Sequence, residues 1–258
     1  NIGIQHATGE YIAWVDPDDE VVENWYEELL PLVNSYDIIQ FSYILNQENL
    51  DESRVISYQK DDTEISFDEF VKDLVLDLKL QSQLCFRVFR RDLFDNFLFS
   101  EKLSYGEDYS YFTHLLKKIY YQKLDKRIKV YHISPPLYIY NMRSNGAVKS
   151  SDYIKRARFI NLSKSRFNFL KRQISDISNL GYIKAIIEFC QLYTQMEKTG
   201  RYNRYKQLYL ISQKIILRNW IKIICCSKYP FTLKIKATLI IFNVIGVIKV
   251  IKKLYKQS

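Results

Sequence analysis

Apolar positions in the first 150 residues fall in short blocks between polar turns, each block the length of a strand or a short helix. Ile2, Ile4 and Ala7, with Gln5 and His6 between them, read as the end of a helix closed by Gly9. Residues 11–15 (YIAWV) are apolar and bounded by Gly and Pro, which predicts a buried strand. After the turn Asp16-Pro17-Asp18-Asp19, residues 21–33 predict a helix, residues 37–45 a second strand, and residues 46–62 a polar loop or excursion. Ser66 followed three positions on by Glu69 is a capping box that opens a helix to about Leu80. Residues 84–89 predict a strand, 90–94 a turn of helix, and 109–121 a helix that begins directly after Glu107-Asp108. Residues 129–132 and 137–140 read as two strands separated by Pro135-Pro136.

Beyond residue 150 only helical patterns remain. Ser151 or Asp152 can cap a helix whose Phe159, Leu162, Phe169, Leu170, Ile174 and Ile177 fall roughly on one face, and Gly181 and Gly200 punctuate the later segments. The expected architecture is an α/β body with a helical extension, divided at residues 1–148 and 149–258.

Charge sharpens that division. Glu197 is the last acidic side chain, and the 14 Lys and Arg after it give the tail +14, which leaves residues 1–197 at −5 within a total of +9. An acidic body and a basic tail suggest two tasks, one handling a cation and one meeting an anionic surface. The low Gly and Pro counts argue against disorder. Cys85, Cys190, Cys225 and Cys226 have neither zinc-ligand nor disulfide-framework spacing, so reduced thiols in a cytoplasmic setting are expected. Asn1 is first and no charged-then-apolar leader comes after it, so no signal peptide is expected.

Three carboxylates at a strand exit are the strongest chemical signal. Like charges a few ångströms apart raise each other's pKa, and they stay ionised together when a cation or a row of N–H donors offsets the repulsion. Mg²⁺ or Mn²⁺ prefers carboxylate oxygen and shares its shell with substrate phosphates, so the turn points to a phosphate-bearing ligand. Asp16, Asp18, Glu20, Asn24 and Glu27 also fall near calcium-loop positions, but Val21 stands where that loop requires Gly. His6, His114 and His132 have no mutual spacing that suggests a metal site or a triad.

The order of features resembles the family-two glycosyltransferases of the A-type nucleotide-sugar fold. The likeness is carried by Asn1 through Gly3, by Ala7-Thr8-Gly9-Glu10-Tyr11-Ile12, and by Asp16-Pro17-Asp18-Asp19. Phe89-Arg90-Arg91-Asp92-Leu93-Phe94, Gly106-Glu107-Asp108, Pro136-Leu137-Tyr138-Ile139-Tyr140 and Arg143 come next in the family's order, so it covers roughly residues 1–148. The resemblance implies an inverting, metal-dependent transferase with a mixed sheet flanked by helices. Its donor would be a nucleotide-sugar, a UDP-sugar for preference, and its acceptor a saccharide or lipid-linked molecule in surface or capsular polysaccharide synthesis. It implies that Asp16, Asp18 and Asp19 seat Mn²⁺ or Mg²⁺ and the donor, that Asp108 is the base with Glu107 beside it, and that Arg143, with Ser144 and Asn145 nearby, grips the diphosphate. It also implies a base-gripping strand–helix–strand unit ahead of Asn1, without which this chain would be weak or inactive. A non-catalytic membrane-surface or scaffold protein that keeps the fold is the alternative.

Residues 237–248 form a mostly apolar run flanked by lysines, too short for a span that needs about 20 residues. An interfacial tail at the inner face of the cytoplasmic membrane is expected, since each Lys or Arg near anionic lipid contributes about 1 kcal/mol. The interleaved Ile, Leu and Val disfavour nucleic acid as the partner. A helix packed on the body with solvated lysines is the plainer alternative.

Overall fold

The computed structural model describes residues 1–47, 52–76, 82–94, 98–103, 105–143, 153–193 and 202–242. It divides into two units, Asn1–Ser150 with Phe169–Ile177, and Ser151–Asn168 with Ser178–Ser258. In the first, a seven-stranded mixed sheet runs in the order β1 (Tyr11–Ala13), β6 (Arg87–Arg90), β3 (Ile38–Gln47), β7 (Val130–Met142), β2 (Glu20–Val21). Strand β4 (Glu52–Ile56) also pairs with β3, and β5 (Thr63–Ile65) with β7. The α/β expectation for this part of the chain is met.

The two long strands β3 and β7 are parallel and every other pairing is antiparallel. Each outer edge of this central pair is shared by two short strands. On β3, β6 takes residues 38–40 and β4 takes 43–47; on β7, β5 takes 130–132 and β2 takes 138–139. The acidic turn is thereby tied to the far half of β7.

Four elements differ from the sequence pattern. The two strands expected around Pro135-Pro136 are one, because a register shift leaves Ser134 and Pro135 out between the Phe41–Ile133 and Ser42–Pro136 pairs. A bulge absorbs residues that cannot donate to the ladder, and Asp62 Oδ1 secures it by accepting from both the N–H and the hydroxyl of Ser134, each at 2.8 Å. The helix expected over 21–33 shrinks to α2 (Trp25–Leu29), since Val21 pairs with Tyr138 and the Val22 N–H donates to Leu137 O at 3.2 Å. Sheet pairing here outweighs helical patterning, as suits β-branched residues. The excursion at 46–62 contains β4, and the strand expected at 84–89 begins as a 3₁₀ turn, Leu84–Phe86.

Apolar layers cover both faces of the sheet. Ile38, Phe89, Ile12 and Val130 face α3 (Phe67–Leu76) and α4 (Glu107–Tyr121), with Leu170 and Ile174 in the same core. Ile39, Phe41, Val88 and Ile133 pack on the other side with Cys85, Phe86 and Tyr138. The cap expected at Ser66 is present, its hydroxyl accepting from the Glu69 N–H at 3.2 Å. The short N-terminal helix α1 is Ile2–His6.

In the second unit, α5 (Tyr153–Leu170, whose last residues belong to the first unit), α6 (Leu180–Tyr193), α7 (Tyr202–Arg218), α8 (Trp220–Cys225) and α9 (Phe231–Ile241) are all helical. Tyr193 stacks on Tyr209 at 4.7 Å, and Glu188 takes Arg156 at 3.2 Å and Lys184 at 3.4 Å. Gly181, expected to interrupt, lies buried in the first turn of α6. Gly200 and the caps expected at Ser151 or Asp152 lie outside the described residues. No helix among the described residues is long and apolar enough to cross a membrane.

Candidate active site

Strand β1 delivers the acidic turn and an aromatic cluster fixes its exit. Trp14 meets Phe89, Phe94 and Tyr111 edge-on at centroid distances of 5.8, 5.2 and 6.3 Å. Tyr111 lies one turn beyond Asp108 on α4, so this packing ties the carboxylate turn to the helix that carries the expected base. The side-chain amide of Asn1 clasps the backbone of Phe99 in both directions, at 3.1 and 2.7 Å, and Phe99 stacks on Tyr111 at 4.0 Å.

The turn closes with the Asp19 N–H donating to Asp16 O at 3.0 Å. Its side chains are then sorted by β7. The buried Tyr138 hydroxyl donates to Asp19 Oδ2 at 2.8 Å and accepts from the Asp16 N–H at 3.1 Å. The Asn141 N–H donates to Asp19 Oδ1 at 2.8 Å, and its amide donates to Asp18 O at 3.0 Å and to Glu20 Oε1 at 3.3 Å. Asn46 fixes the orientation of that amide by donating to Asn141 Oδ1 at 3.0 Å, and Ser53 in turn donates to Asn46 Oδ1 at 2.7 Å. Both oxygens of Asp19 are thus occupied by donors. Asp18 faces the more exposed Arg143, whose Nε lies 3.4 Å from Asp18 Oδ2.

Electrostatics link the turn to α4. Burial, then Asp19, Asp18 and Glu107, raise the pKa of Asp16. Asp19 is raised first by burial, against which its bonds from Asn141 and Tyr138 work. Asp108 is pushed up to about 7, first by burial and then by Glu107 and Asp16; the Leu84 N–H and the buried Arg87 oppose the rise. A carboxyl near pH 7 exchanges protons readily in the neutral range, which suits a general base. Gly106 sets the start of α4 in a left-handed conformation, φ 75°, immediately before Glu107 and Asp108.

Asp16, Asp18, Asp19, Glu107, Asp108 and Arg143 therefore fall into one electrostatically coupled neighbourhood. Among the described residues, no group of three or more His, Cys, Asp and Glu is arranged to hold a metal ion. Ser144 and Asn145 lie outside the described residues. Residues whose part in the site the sequence does not signal complete the neighbourhood. Tyr138 lies in a strand segment that helps to carry the family resemblance but receives no site role from it, and Asn141 receives none either. Cys85 underlies the site, its thiol raised by burial and then by Asp16, Asp108 and Asp19. A groove of about 760 Å³ opens elsewhere on this unit, beside β1, lined by Ile4, Tyr11, Arg90 and Arg91 among others; it contains none of the expected site residues.

Comparison with known proteins agrees with the resemblance over the front of the chain. Residues 1–98 match the model of Glycosyl transferase family 2, a segment that holds Asp16, Asp18 and Asp19 and stops short of Asp108 and Arg143. No curated protein matches. Among solved structures, Staphylococcus aureus TarS 1–349 in complex with UDP-GlcNAc is similar at 13% identity and TM-score 0.49, covering 84% of this chain and 59% of that one. TarS 1–349 alone is similar at 12% and 0.47, covering 83% and 57%, and its complex with UDP at 12% and 0.47, covering 84% and 58%. This chain spans less than two thirds of the length of those structures.

Proposed function

We propose that this chain belongs to an inverting glycosyltransferase that moves a sugar from a nucleotide-sugar, a UDP-sugar for preference, to a hydroxyl of a saccharide or lipid-linked acceptor. The observation that carries the reading is the place of Asp108, a partly buried carboxyl in the first turn of α4 within the field of Glu107 and Asp16, whose burial and neighbours push its pKa up. The family-two match of residues 1–98 supports the donor class; surface or capsular polysaccharide synthesis is the setting the sequence resemblance implies.

In this reading Asp108 accepts the proton of the acceptor hydroxyl while the acceptor oxygen bonds to the anomeric carbon. The bond from that carbon to the diphosphate oxygen breaks, and its electron pair leaves with the nucleoside diphosphate. Attack opposite the departing group inverts the centre. Burial and then the charge of Glu107 keep the Asp108 proton affinity high, and Arg143, beside Asp18, supplies a guanidinium for phosphate oxygen.

Asp16 and Asp18 are carboxylates of the kind that would hold Mg²⁺ or Mn²⁺ beside donor phosphate, since such a cation prefers carboxylate oxygen. When bound, the cation would neutralise charge on the departing diphosphate. Burial, then the charges of Asp19, Asp18 and Glu107, raise the proton affinity of Asp16, so a cation here would favour its ionised form. Asp19, which takes one donor on each oxygen, from Tyr138 and Asn141, holds the turn in shape and keeps acceptor capacity toward the same cation.

Manganese-dependent donor binding and sugar transfer, compared between wild type, Asp16→Asn and Asp108→Asn, test the reading. Asp16→Asn is expected to lose donor binding, and Asp108→Asn to keep binding and lose transfer. Wild-type behaviour in both variants leaves a non-catalytic protein of the same fold.

A further inference from the structure

The second unit carries an exposed apolar surface at a place the sequence does not mark. The expected interfacial run at 237–248 begins in α9, where Ala237 and Ile240 are wholly buried, so that part of it belongs to the core of this unit. Residues 243–248 lie outside the described residues. Of that run only Phe242 is among the large apolar side chains that reach solvent in α7–α9 among the described residues; the rest lie ahead of it. Phe231 is 74% exposed, Ile235 41% and Phe242 67%; their spacing of four and seven puts them on one stripe of α9 and its end. A second stripe crosses from α7 into α8 through Leu217, Ile221 and Ile224, with Ile221 73% exposed.

Trp220 joins the stripes. Its indole N–H donates at 3.1 Å to the Thr238 hydroxyl, and Thr238 lies on the same line of α9 as Ile235 and Phe242. The ring is over a third exposed, apolar body outward and N–H satisfied, which suits a tryptophan at a lipid–water boundary. Lys214, Arg218 and Lys222, all exposed, lie among these positions. The described part of the chain from residue 202 onward has no acidic side chain. Scattered exposed apolar residues need no explanation, but a joined set on helices whose charged side chains are all cations marks an interaction surface.

We propose that the α7–α9 surface docks on an anionic lipid bilayer, with Trp220, Ile221, Phe231, Ile235 and Phe242 entering the headgroup boundary and Lys214, Arg218 and Lys222 meeting lipid phosphate. Charge complementarity selects this occupant. An acidic protein or a nucleic acid satisfies the cations but leaves bulky aliphatic side chains without an apolar phase, whereas an anionic bilayer serves both groups. The site chemistry of the first unit plays no part in the argument.

Flotation of the full chain with phosphatidylcholine–phosphatidylglycerol vesicles, and with phosphatidylcholine alone, tests the proposal. Wild type is expected to float with the anionic vesicles and to stay down with the zwitterionic ones. Reversing Lys214, Arg218 and Lys222 to Glu should weaken binding at least about tenfold, since each charge near the surface contributes on the order of 1 kcal/mol. Ile221→Ser with Phe231→Ser, both fully folded by circular dichroism because their sites are exposed, should weaken it comparably. Trp220→Phe should still float but lose the blue shift of tryptophan emission that wild type shows on binding. Absence of flotation overturns the proposal, as does unchanged binding by the serine variant. Release by salt with equal retention on RNA identifies a general polyanion binder, and self-association without vesicle binding identifies a second copy as the occupant; either overturns it.

Discussion

The hydroxyl of Tyr138 bridges the two ends of the acidic turn, donating to Asp19 Oδ2 at 2.8 Å and accepting from the Asp16 N–H at 3.1 Å. One buried phenol thus sets the distance between residues three apart in sequence. Tyr138→Phe removes both bonds without changing packing and leaves the Asp19 carboxylate short of one donor. A loss of about 1–3 kcal/mol in unfolding free energy is expected by denaturant titration. Donor KM should rise more than kcat falls, because Asp108 does not depend on this bridge.

Asp108→Asn is expected to lower transfer by about 10²–10⁴-fold, the range for a general base. Stability should move the other way. The folded-state pKa, about 7, lies above the ordinary 3.8, so the native protein binds this proton more tightly than the unfolded chain. The ionised group therefore costs stability progressively from about pH 4 upward, and fully above about pH 7. Asp108→Asn should melt above wild type at pH 8, with the gap closing toward pH 4. The wild-type rate should fall on the acid side with an apparent pKa near 7.

His132 provides a pH response of opposite sign, remote from the chemistry. It is wholly buried, its Nε2 accepts from the Gln59 N–H at 3.3 Å, and burial pulls its pKa down to about 4 from 6.5. The unfolded chain then binds the proton more readily, so stability is full above about pH 6.5 and lost as pH falls toward 4. His132→Gln should flatten that acid limb of a melting-temperature profile while lowering the plateau.

Gly106 at φ 75° is the hinge on which Glu107 and Asp108 are presented. A side chain here meets the left-handed penalty, about 1–2 kcal/mol. Gly106→Ala should lower the melting temperature and reduce kcat with little change in donor affinity, and Gly106→Asn should recover part of both, since Asn tolerates this conformation. Equal activity in all three would detach α4 from the reaction.

The candidate site was legible in two ways. Crowded aspartates at a strand exit point to a cation by type and spacing, because charge is carried by the side chain wherever it stands, whereas Glu107, Asp108 and Arg143 were singled out by the family resemblance. The capping box at Ser66 was equally local and is present. Strand positions 11–13 and 38–45 are set by apolar blocks too short for helices.

What the tertiary structure decided is how those charges differ. Asp16, Asp18 and Asp19 look alike in sequence; only the pairing of β2 with β7 brings Tyr138 and Asn141 to Asp19 and leaves Asp18 to Arg143. The same pairing took Val21 out of its expected helix, and the bulge at Ser134 and Pro135 let one strand run through two prolines. In the C-terminal helices, periodicity could not tell which apolar residues were buried, because α9 is apolar around much of its circumference and its neighbours choose the inward face. Side-chain chemistry is a local property. Proton affinity, hydrogen-bond partner and exposure are properties of the surroundings, and those come from residues about 120 positions away in the chain.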